Sequence, residues 1–306
     1  MQPGEQSIRA EIQSAVENMS KNGNLYQEKN FCSRIQAIDD LEFEMIGRID
    51  TLMEDRDVFD KMSDLKEFAQ RTKCKLESVN SKLFQQLRIK MSQAEYRGAN
   101  LVKLMDEYVD NNPKEILQPD TIGYDELDIF INGLLSYQII PGETKAREPE
   151  MIYYQKTPVR IVLELIRRAE FKPQDVFIDL GSGLGQAVML VNLITGVHSI
   201  GLEFEPAFCR YALALAAELH LEDVEFRTGD ARFADYTGGT VFFMYTPFEG
   251  KMLRETLQKL KGEAKKTKIR IFTYGPCTPV VAQQNWLHGV HEMKPESGGL
   301  GEFHSL

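Results

Sequence analysis

The chain has 306 residues, 42% of them hydrophobic and 27% charged, a composition typical of a globular protein large enough for two domains. Its formal net charge of −10 lies mostly in residues 1–150 and disfavours a nucleic-acid partner, because nucleic-acid binding depends on neutralising phosphates. The sequence lacks a membrane-length hydrophobic run, a signal-peptide pattern and a Cys-x-x-Cys pair, which predicts a cytoplasmic protein with no membrane span and no disulfide framework.

Residues 1–120 are predicted to form a helical bundle domain, because Glu, Lys, Gln, Met and Leu predominate until the break at Asn111-Asn112-Pro113. Ser78–Leu104 is predicted as one long helix with Ser78 as its N-cap. No catalytic arrangement is recognisable in this part of the chain. Recognition of a partner or substrate, formation of a homodimer and covering of the active site all stay open as its role.

Residues 121–157 are predicted to be a connector. An amphipathic helix over Tyr124–Leu135 is followed by an irregular segment rich in Pro, Gly and charge, residues 141–150. Such loops often carry function, because a rigid scaffold positions them. The next helix is predicted to start with Thr157 as N-cap and Pro158 at the first helical position.

Residues 158–306 alternate between strand and helix, the pattern of a doubly wound α/β fold with a mostly parallel sheet. We expect seven strands, the last two forming a terminal hairpin. The predicted strands are 176–180, 198–203, 224–227, 240–245, 268–274, 286–293 and 302–306.

A glycine turn follows the first of these strands, where Gly181, Gly183 and Gly185 come after Asp179. Dinucleotide enzymes use Gly-x-Gly-x-x-Gly and place a pyrophosphate on the helix N-terminus. A carboxylate at Asp179 would repel that phosphate, whereas it would suit a ligand with an ammonium group. S-adenosylmethionine is such a ligand, and its carboxylate would suit the helix N-terminus.

Two further acids end the second and third strands. Glu203 would bind ribose hydroxyls, and Asp230 would reach the adenine amino group, with the Ala231 N–H beside it. Taken singly, either acid is equally explained as a cap at the end of a strand. Three acids in order predict a site for a cationic adenosine cofactor.

Residues 150–306 resemble the class I S-adenosylmethionine-dependent methyltransferases, which have a Rossmann-like fold. The segment Phe177–Gln186 resembles the opening motif of the non-SET histone lysine methyltransferases, and Tyr154-Gln155-Lys156-Thr157 stands where that family has a Tyr-Gly-Glu-Thr segment closing over the cofactor. The resemblance implies N-methylation of lysine in a protein substrate, with residues 121–157 covering the cofactor and residues 158–306 binding it. The cofactor residues it implies are Tyr154, Thr157, Asp179, Gly181, Ser182, Gly183, Gly185, Gln186, Glu203, Phe204, Asp230 and Ala231.

The fourth strand departs from that family. It is followed by Tyr245-Thr246-Pro247-Phe248, where the histone enzymes have Asn-Asn-Phe and amino-directed DNA and glutamine enzymes have Asn/Asp-Pro-Pro-Tyr. This turn therefore offers no side-chain amide or carboxylate to the acceptor. Tyr245 and Tyr154 are the candidate catalytic residues, as walls of the methyl-transfer channel, although a packing role explains them as well.

Three readings remain open from the sequence. The first is a protein methyltransferase, the second an RNA or small-molecule methyltransferase, and the third a cofactor-binding fold that serves only as an interaction module. The lack of a base motif does not argue against catalysis, because a sulfonium leaves readily once the acceptor is aligned. No metal is expected, since His288 and His291 on one strand would face opposite ways.

Overall fold

The computed structural model describes residues 3–53, 56–109, 124–135, 139–290 and 299–306. These residues belong to two compact units, the first made of Met1–Arg88 with Met105–Asp110 and the second of Ile89–Leu104 with Asn111–Leu306. The predicted break at Asn111-Asn112-Pro113 lies outside the described residues.

The first unit is helical, as the composition predicts. Its core contains Ile12, Val16, Leu41, Ile49 and Leu65, all at most 4% exposed. A 3-10 turn (Gly23–Tyr26) and a π-helical stretch (Asp40–Ile46) interrupt the regular helices. The α-helices lying wholly or partly in this unit are α1 (Pro3–Lys21), α2 (Phe31–Asp39), α3 (Gly47–Met53), α4 (Arg56–Ser92) and α5 (Ala99–Tyr108).

The predicted helix over Ser78–Leu104 is wrong at both ends. Ser78 lies inside α4, because the buried face continues from Leu76 to Leu83 and outweighs the capping preference of serine. The helix ends at Ser92, where Ala94 has a φ of 61° and the Glu95 N–H donates to the Lys90 carbonyl. This is a Schellman-type end without its usual glycine, so the sequence carries no signal for it.

The second unit contains a seven-stranded sheet in the described part of the chain, with strand order β3-β2-β1-β4-β5-β7-β6. The first five strands are parallel, and β7 is antiparallel to both of its neighbours. The predicted fold class and the terminal hairpin are confirmed, while residues 291–298 of the predicted hairpin lie outside the described residues. The strands are β1 (Val176–Leu180), β2 (His198–Glu203), β3 (Val224–Thr228), β4 (Val241–Tyr245), β5 (Arg270–Tyr274), β6 (Leu287–Gly289) and β7 (Gly301–Ser305).

Helices pack against this sheet around a core that includes Ile178, Leu180, Phe242 and Ile271. The central strands are buried on both faces, as expected of parallel strands covered by helices. The remaining helices are α6 (Glu126–Leu134), α7 (Val159–Ala169), α8 (Gln186–Thr195), α9 (Pro206–Glu218), α10 (Gly250–Ala264) and α11 (Thr278–Ala282).

Helix α7 begins one residue later than predicted. Pro158 is its N-cap, and Thr157 does not cap it. The first N–H, that of Val159, instead donates to Oδ1 of Asp128 on α6 at 2.8 Å. A side chain from another helix therefore takes the capping role, which local sequence rules cannot anticipate.

Candidate active site

A cleft that is open to solvent lies at the carboxyl ends of β1 to β4. Residues 141–157, which we call the strap, supply part of its wall. Gly183 and Gly185 are not in the lining, whereas the other predicted site residues are. Those that line the cleft are Tyr154, Thr157, Asp179, Gly181, Ser182, Gln186, Glu203, Phe204, Asp230, Ala231 and Tyr245.

The turn after β1 depends on its glycines. Gly181, Gly183 and Gly185 have φ values of 82°, 53° and 80°, in the left-handed region that other residues enter at a cost. A Cβ on Gly181 would lie 2.4 Å from Cβ of Pro247, and one on Gly183 would lie 2.0 Å from Cε2 of Tyr154. The absent side chains therefore let two walls of the cleft approach the turn closely.

Two polar atoms beside this turn are buried without a partner. Oγ of Ser182 and Nε2 of Gln186 have no hydrogen bond within the described residues, and both side chains line the cleft. Buried polar groups in native proteins are almost always paired, so this arrangement fits a ligand that supplies acceptors. Gln186 also lies in the first turn of α8, where an anionic group is stabilised by the helix.

Two carboxyl groups form the acidic floor of the cleft. Burial, reinforced by the charge of Glu203, raises the pKa of Asp179 to about 8. Burial also raises the pKa of Glu203, although its carboxylate accepts the Gly183 N–H at 2.7 Å and the Glu205 N–H at 2.8 Å. A cationic ligand would relieve both desolvated acids, which fits the ammonium group predicted from the sequence.

Asp230 has a partner that the sequence did not suggest. Both of its carboxylate oxygens accept hydrogen bonds from Arg232, at 2.5–3.1 Å. Burial alone would raise the pKa of Asp230, but the bonds from Arg232 outweigh it and hold that pKa below its ordinary value. Arg232 also donates to Glu148 of the strap at 2.6 Å, so this acid is part of an ion-pair network.

The strap is bound to the end of β4 as well. The Ile152 N–H donates to the Pro247 carbonyl at 3.1 Å. The Glu150 carboxylate accepts the N–H groups of Lys251 and Met252 at 2.9 and 2.7 Å, in the first turn of α10. Glu249, the N-cap residue of α10, makes no side-chain hydrogen bond to the helix end. The Glu150 carboxylate instead accepts the N–H groups that this end leaves without an intrahelical partner.

Sequence analysis missed three side chains that hold the strap, namely Glu150, Glu205 and Arg232. The contacts that they make between the strap and the rest of the chain join residues 60 to 102 positions apart. No local spacing links such residues. The available signal is indirect: Glu205 and Arg232 each follow a predicted adenosine-binding acid by two positions.

Tyr245 lines the β4 end of the cleft, and Tyr274 and Tyr124 lie near it outside the lining. The Tyr245 hydroxyl donates to Oε1 of Gln155 at 3.1 Å, and the rings of Tyr245 and Tyr274 lie 4.9 Å apart. Burial, with smaller effects from Tyr245 and other neighbours, raises the pKa of Tyr124 to about 12, and its hydroxyl donates to the Lys156 carbonyl. The strap thus places the side-chain amide of Gln155 beside Tyr245.

The Thr246 hydroxyl in the turn after β4 is occupied by hydrogen bonds within the protein. Thr246 has a φ of 34°, and its hydroxyl donates to the Tyr274 carbonyl at 3.0 Å while accepting the Cys277 N–H at 3.1 Å. The hydroxyl is thus used to hold a strained turn. Pro247 of the same turn also lines the cleft and is packed against Gly181.

Tyr154 is placed differently from Tyr245. Its ring packs against Gly183 and lies 5.3 Å from the ring of Phe208. Burial raises its pKa, against a smaller opposing effect of a hydrogen bond with the Leu184 backbone. Tyr154 therefore packs over the glycine turn, and Tyr245 is the tyrosine that hydrogen-bonds across the cleft.

Within the described residues, no group of three or more His, Cys, Asp or Glu side chains is arranged to hold a metal ion. His291, one of the two histidines considered above, lies outside those residues. None of the helices in the described part of the chain has the length and apolarity needed to cross a membrane.

Comparison with solved structures gives matches of low identity. An RNA methyltransferase from Salinibacter ruber in complex with S-adenosyl-L-homocysteine is 24% identical, with 49% of this chain and 92% of that chain covered and a TM-score of 0.39. A SAM-dependent methyltransferase from Aquifex aeolicus is 16% identical, with 47% and 88% covered and a TM-score of 0.38. A ribosomal protein L11 methylase from Lactobacillus delbrueckii subsp. bulgaricus is 15% identical, with 48% and 77% covered and a TM-score of 0.37.

Comparison with curated proteins gives no match. A family model does match: residues 150–226 fit the family described as histone methylation protein DOT1. The matched segment contains the glycine turn, Asp179 and Glu203. The chain therefore carries a class I S-adenosylmethionine-dependent methyltransferase domain, with S-adenosylmethionine as its cofactor.

Proposed function

We propose that this methyltransferase methylates the side-chain amine of lysine in a protein substrate. The observation that carries the proposal is the hydrogen bond from Tyr245 to Gln155, beside the ring of Tyr274, at the end of the cleft away from Asp230. Tyrosine faces and neutral polar groups suit an aliphatic amine, which must be unprotonated to react. The match to a histone methylation family supports the same acceptor class.

The cofactor supplies a methyl group on a sulfonium, so the protein has to position the acceptor rather than activate a leaving group. We assign the adenosine and amino-acid ends of the cofactor to the predicted binding residues, with Ser182 and Gln186 as donors to its carboxylate. A carbonyl oxygen such as Oε1 of Gln155 has a second lone pair, and this can accept an N–H of the incoming amine.

The environment of the acceptor end also favours the reactive form of lysine. Burial raises the pKa of both Tyr245 and Tyr274, so their hydroxyls stay neutral at physiological pH. A lysine side chain entering among these rings loses hydration, which lowers its pKa and releases its proton to solvent. Aromatic faces also attract any remaining ammonium form during approach.

Exposed apolar side chains on segments bordering the cleft support a macromolecular acceptor. Tyr153 and Ile152 of the strap are 71% and 38% exposed, and Phe233, next to Arg232, is 79% exposed. Large apolar groups at the surface of a binding site commonly mark contact with another macromolecule.

The proposal is tested by transfer of a labelled methyl group from S-adenosylmethionine into cell extract. We expect protease-sensitive, nuclease-resistant label, and methyl-lysine after acid hydrolysis. The Gln155→Ala variant should lose most of this transfer while still binding S-adenosylhomocysteine. Label that nuclease removes, or that appears only in small molecules, would contradict a protein acceptor without affecting the methyltransferase assignment.

A further inference from the structure

Glu205 is a buried carboxylate that belongs neither to the glycine turn nor to the predicted strand-end acids. It lies two residues beyond Glu203, is 4% exposed and lines the cleft. One of its bonds is ordinary, because Oε1 accepts the Ala207 N–H at 2.8 Å and so caps α9. A cap needs no more than this, so the remaining bonds require another explanation.

The other bonds come from the strap. Oε2 of Glu205 accepts the N–H groups of Thr144 and Lys145, each at 2.8 Å, and Oε1 accepts the Thr144 hydroxyl at 2.5 Å. Burial alone would raise the pKa of Glu205, but these bonds together with the one from the Ala207 N–H outweigh it and lower that pKa to about 2. The carboxylate is therefore charged at any physiological pH, and hydrogen bonds to a charged acceptor are the stronger kind.

The held strap residues face the adenosine end of the cleft. Nζ of Lys145 lies 3.5 Å from the ring centroid of Phe204, and both residues are in the lining. Arg232 makes a second contact with the strap, because it donates a hydrogen bond to Glu148. Arg232 stands two positions after Asp230, as Glu205 stands two positions after Glu203. Each predicted adenosine-binding acid is thus followed at the second position by a side chain that holds the strap.

We propose that Glu205 is a positioning residue that latches the strap over the adenosine end of the cofactor, so that the cofactor product leaves only after the latch opens. The same strap carries Tyr154 and Gln155 some ten residues further on, so opening also disturbs the acceptor end. This inference rests on the cofactor site and does not depend on which acceptor is methylated.

The test measures binding of S-adenosylhomocysteine, by calorimetry for affinity and by stopped-flow fluorescence for the dissociation rate. Glu205→Gln keeps the size of the side chain but places an amide where strap N–H groups donate. We expect the dissociation rate to rise and the affinity to fall by about tenfold, the effect of losing one hydrogen bond to a charged group. Amide hydrogen exchange at Thr144 and Lys145 should become faster in the complex.

A second variant separates the latch from the helix cap. Thr144→Val keeps the shape of an exposed residue, leaves the bond to Ala207 intact and removes only the hydroxyl bond to Glu205. We expect about fivefold faster dissociation with an unchanged melting temperature. Glu302→Gln is the matched control, because Glu302 is also buried and ion-paired, with Arg168 on α7, but lies outside the cleft lining. It should lower the melting temperature and leave ligand binding unchanged.

The outcomes distinguish this proposal from the assignments above. Wild-type protein that fails to bind S-adenosylhomocysteine would overturn the cofactor site and the latch together. Wild-type binding with Thr144→Val and Glu205→Gln dissociating at the wild-type rate would overturn the latch alone, even if Glu205→Gln lowers the melting temperature. A failure to methylate lysine bears only on the proposed function, because these measurements need no acceptor.

Discussion

Cofactor binding is predicted to release a proton from Asp179. In the free protein, burial and the nearby Glu203 raise the pKa of Asp179 to about 8, so at neutral pH the carboxyl group is mostly protonated. The ammonium group of S-adenosylhomocysteine favours the ionised carboxylate. Binding therefore lowers the pKa of Asp179, and the proton goes to solvent.

The sign and size of the pH effect follow from linkage. Below pH 8 each unit of acidification costs about 1.4 kcal/mol of binding free energy, or a factor of ten in affinity, because the carboxyl must first ionise. Affinity at pH 6 should thus be about 100-fold weaker than the limit reached with full ionisation. At pH values above the pKa of the ligand's α-amino group, the ligand loses its positive charge, so affinity should fall again.

Titration calorimetry in two buffers of different ionisation enthalpy measures this directly. We expect release of close to one proton at pH 7, and an affinity maximum at alkaline pH, between the pKa of Asp179 and that of the ligand's α-amino group. The Asp179→Asn variant should bind more weakly, release no proton and show little pH dependence between pH 6 and 8. Asp175→Asn is the control, since Asp175 is a buried acid paired with Arg270 at the other end of β1, and it should keep the wild-type pH profile. Wild-type affinity that is flat from pH 6 to 8, without proton release, would refute the assignment of Asp179 to the ammonium group.

Three further substitutions probe other parts of the site. Gly183→Ala should abolish binding of S-adenosylhomocysteine in calorimetry, because its Cβ would lie 2.0 Å from the Tyr154 ring; wild-type affinity would show that the turn can shift freely. Tyr245→Phe removes the hydroxyl bonded across the cleft, so we expect kcat to fall about tenfold with unchanged S-adenosylhomocysteine affinity. Equal losses in both would instead indicate packing. Asp128→Ala removes the acceptor of the Val159 N–H and should lower the free energy of unfolding by about 1–2 kcal/mol. Calorimetric scans should then show a melting temperature lower by a few degrees, and cofactor affinity should be retained.

The sheet and the turn could be predicted because their signals are local. A strand buried on both faces is a short apolar run, and the turn after β1 needs glycine at Gly181 and Gly183 because both residues have positive φ angles. The acids at the ends of β1, β2 and β3 fall on one edge of the sheet simply because parallel strands share a direction. Their convergence on one cleft follows from topology alone.

What the sequence could not predict is where a contact is made by residues distant along the chain. Asp128 takes the N–H that Thr157 was expected to cap, and the strap places the side-chain amide of Gln155 beside Tyr245. The end of α4 could not be predicted for a different reason. Ala94, just beyond the helix, adopts a left-handed conformation for which alanine has no preference.

The carboxylates of the cleft show how one edge of a sheet can hold acids for opposite purposes. Burial raises the pKa of Asp179 to about 8, whereas the four hydrogen bonds at Glu205 outweigh burial and lower its pKa to about 2. Glu205 is thus always charged and tied to protein N–H groups, which suits a structural latch. Asp179 is mostly protonated at neutral pH in the free protein. A cationic ligand favours its ionised form and so gains an electrostatic attraction that a neutral ligand does not. An adenosine thioether without the amino-acid end should therefore bind weakly and without the pH dependence of S-adenosylhomocysteine. Equal affinity and an equal pH profile for the two ligands would show that Asp179 does not select for the ammonium group.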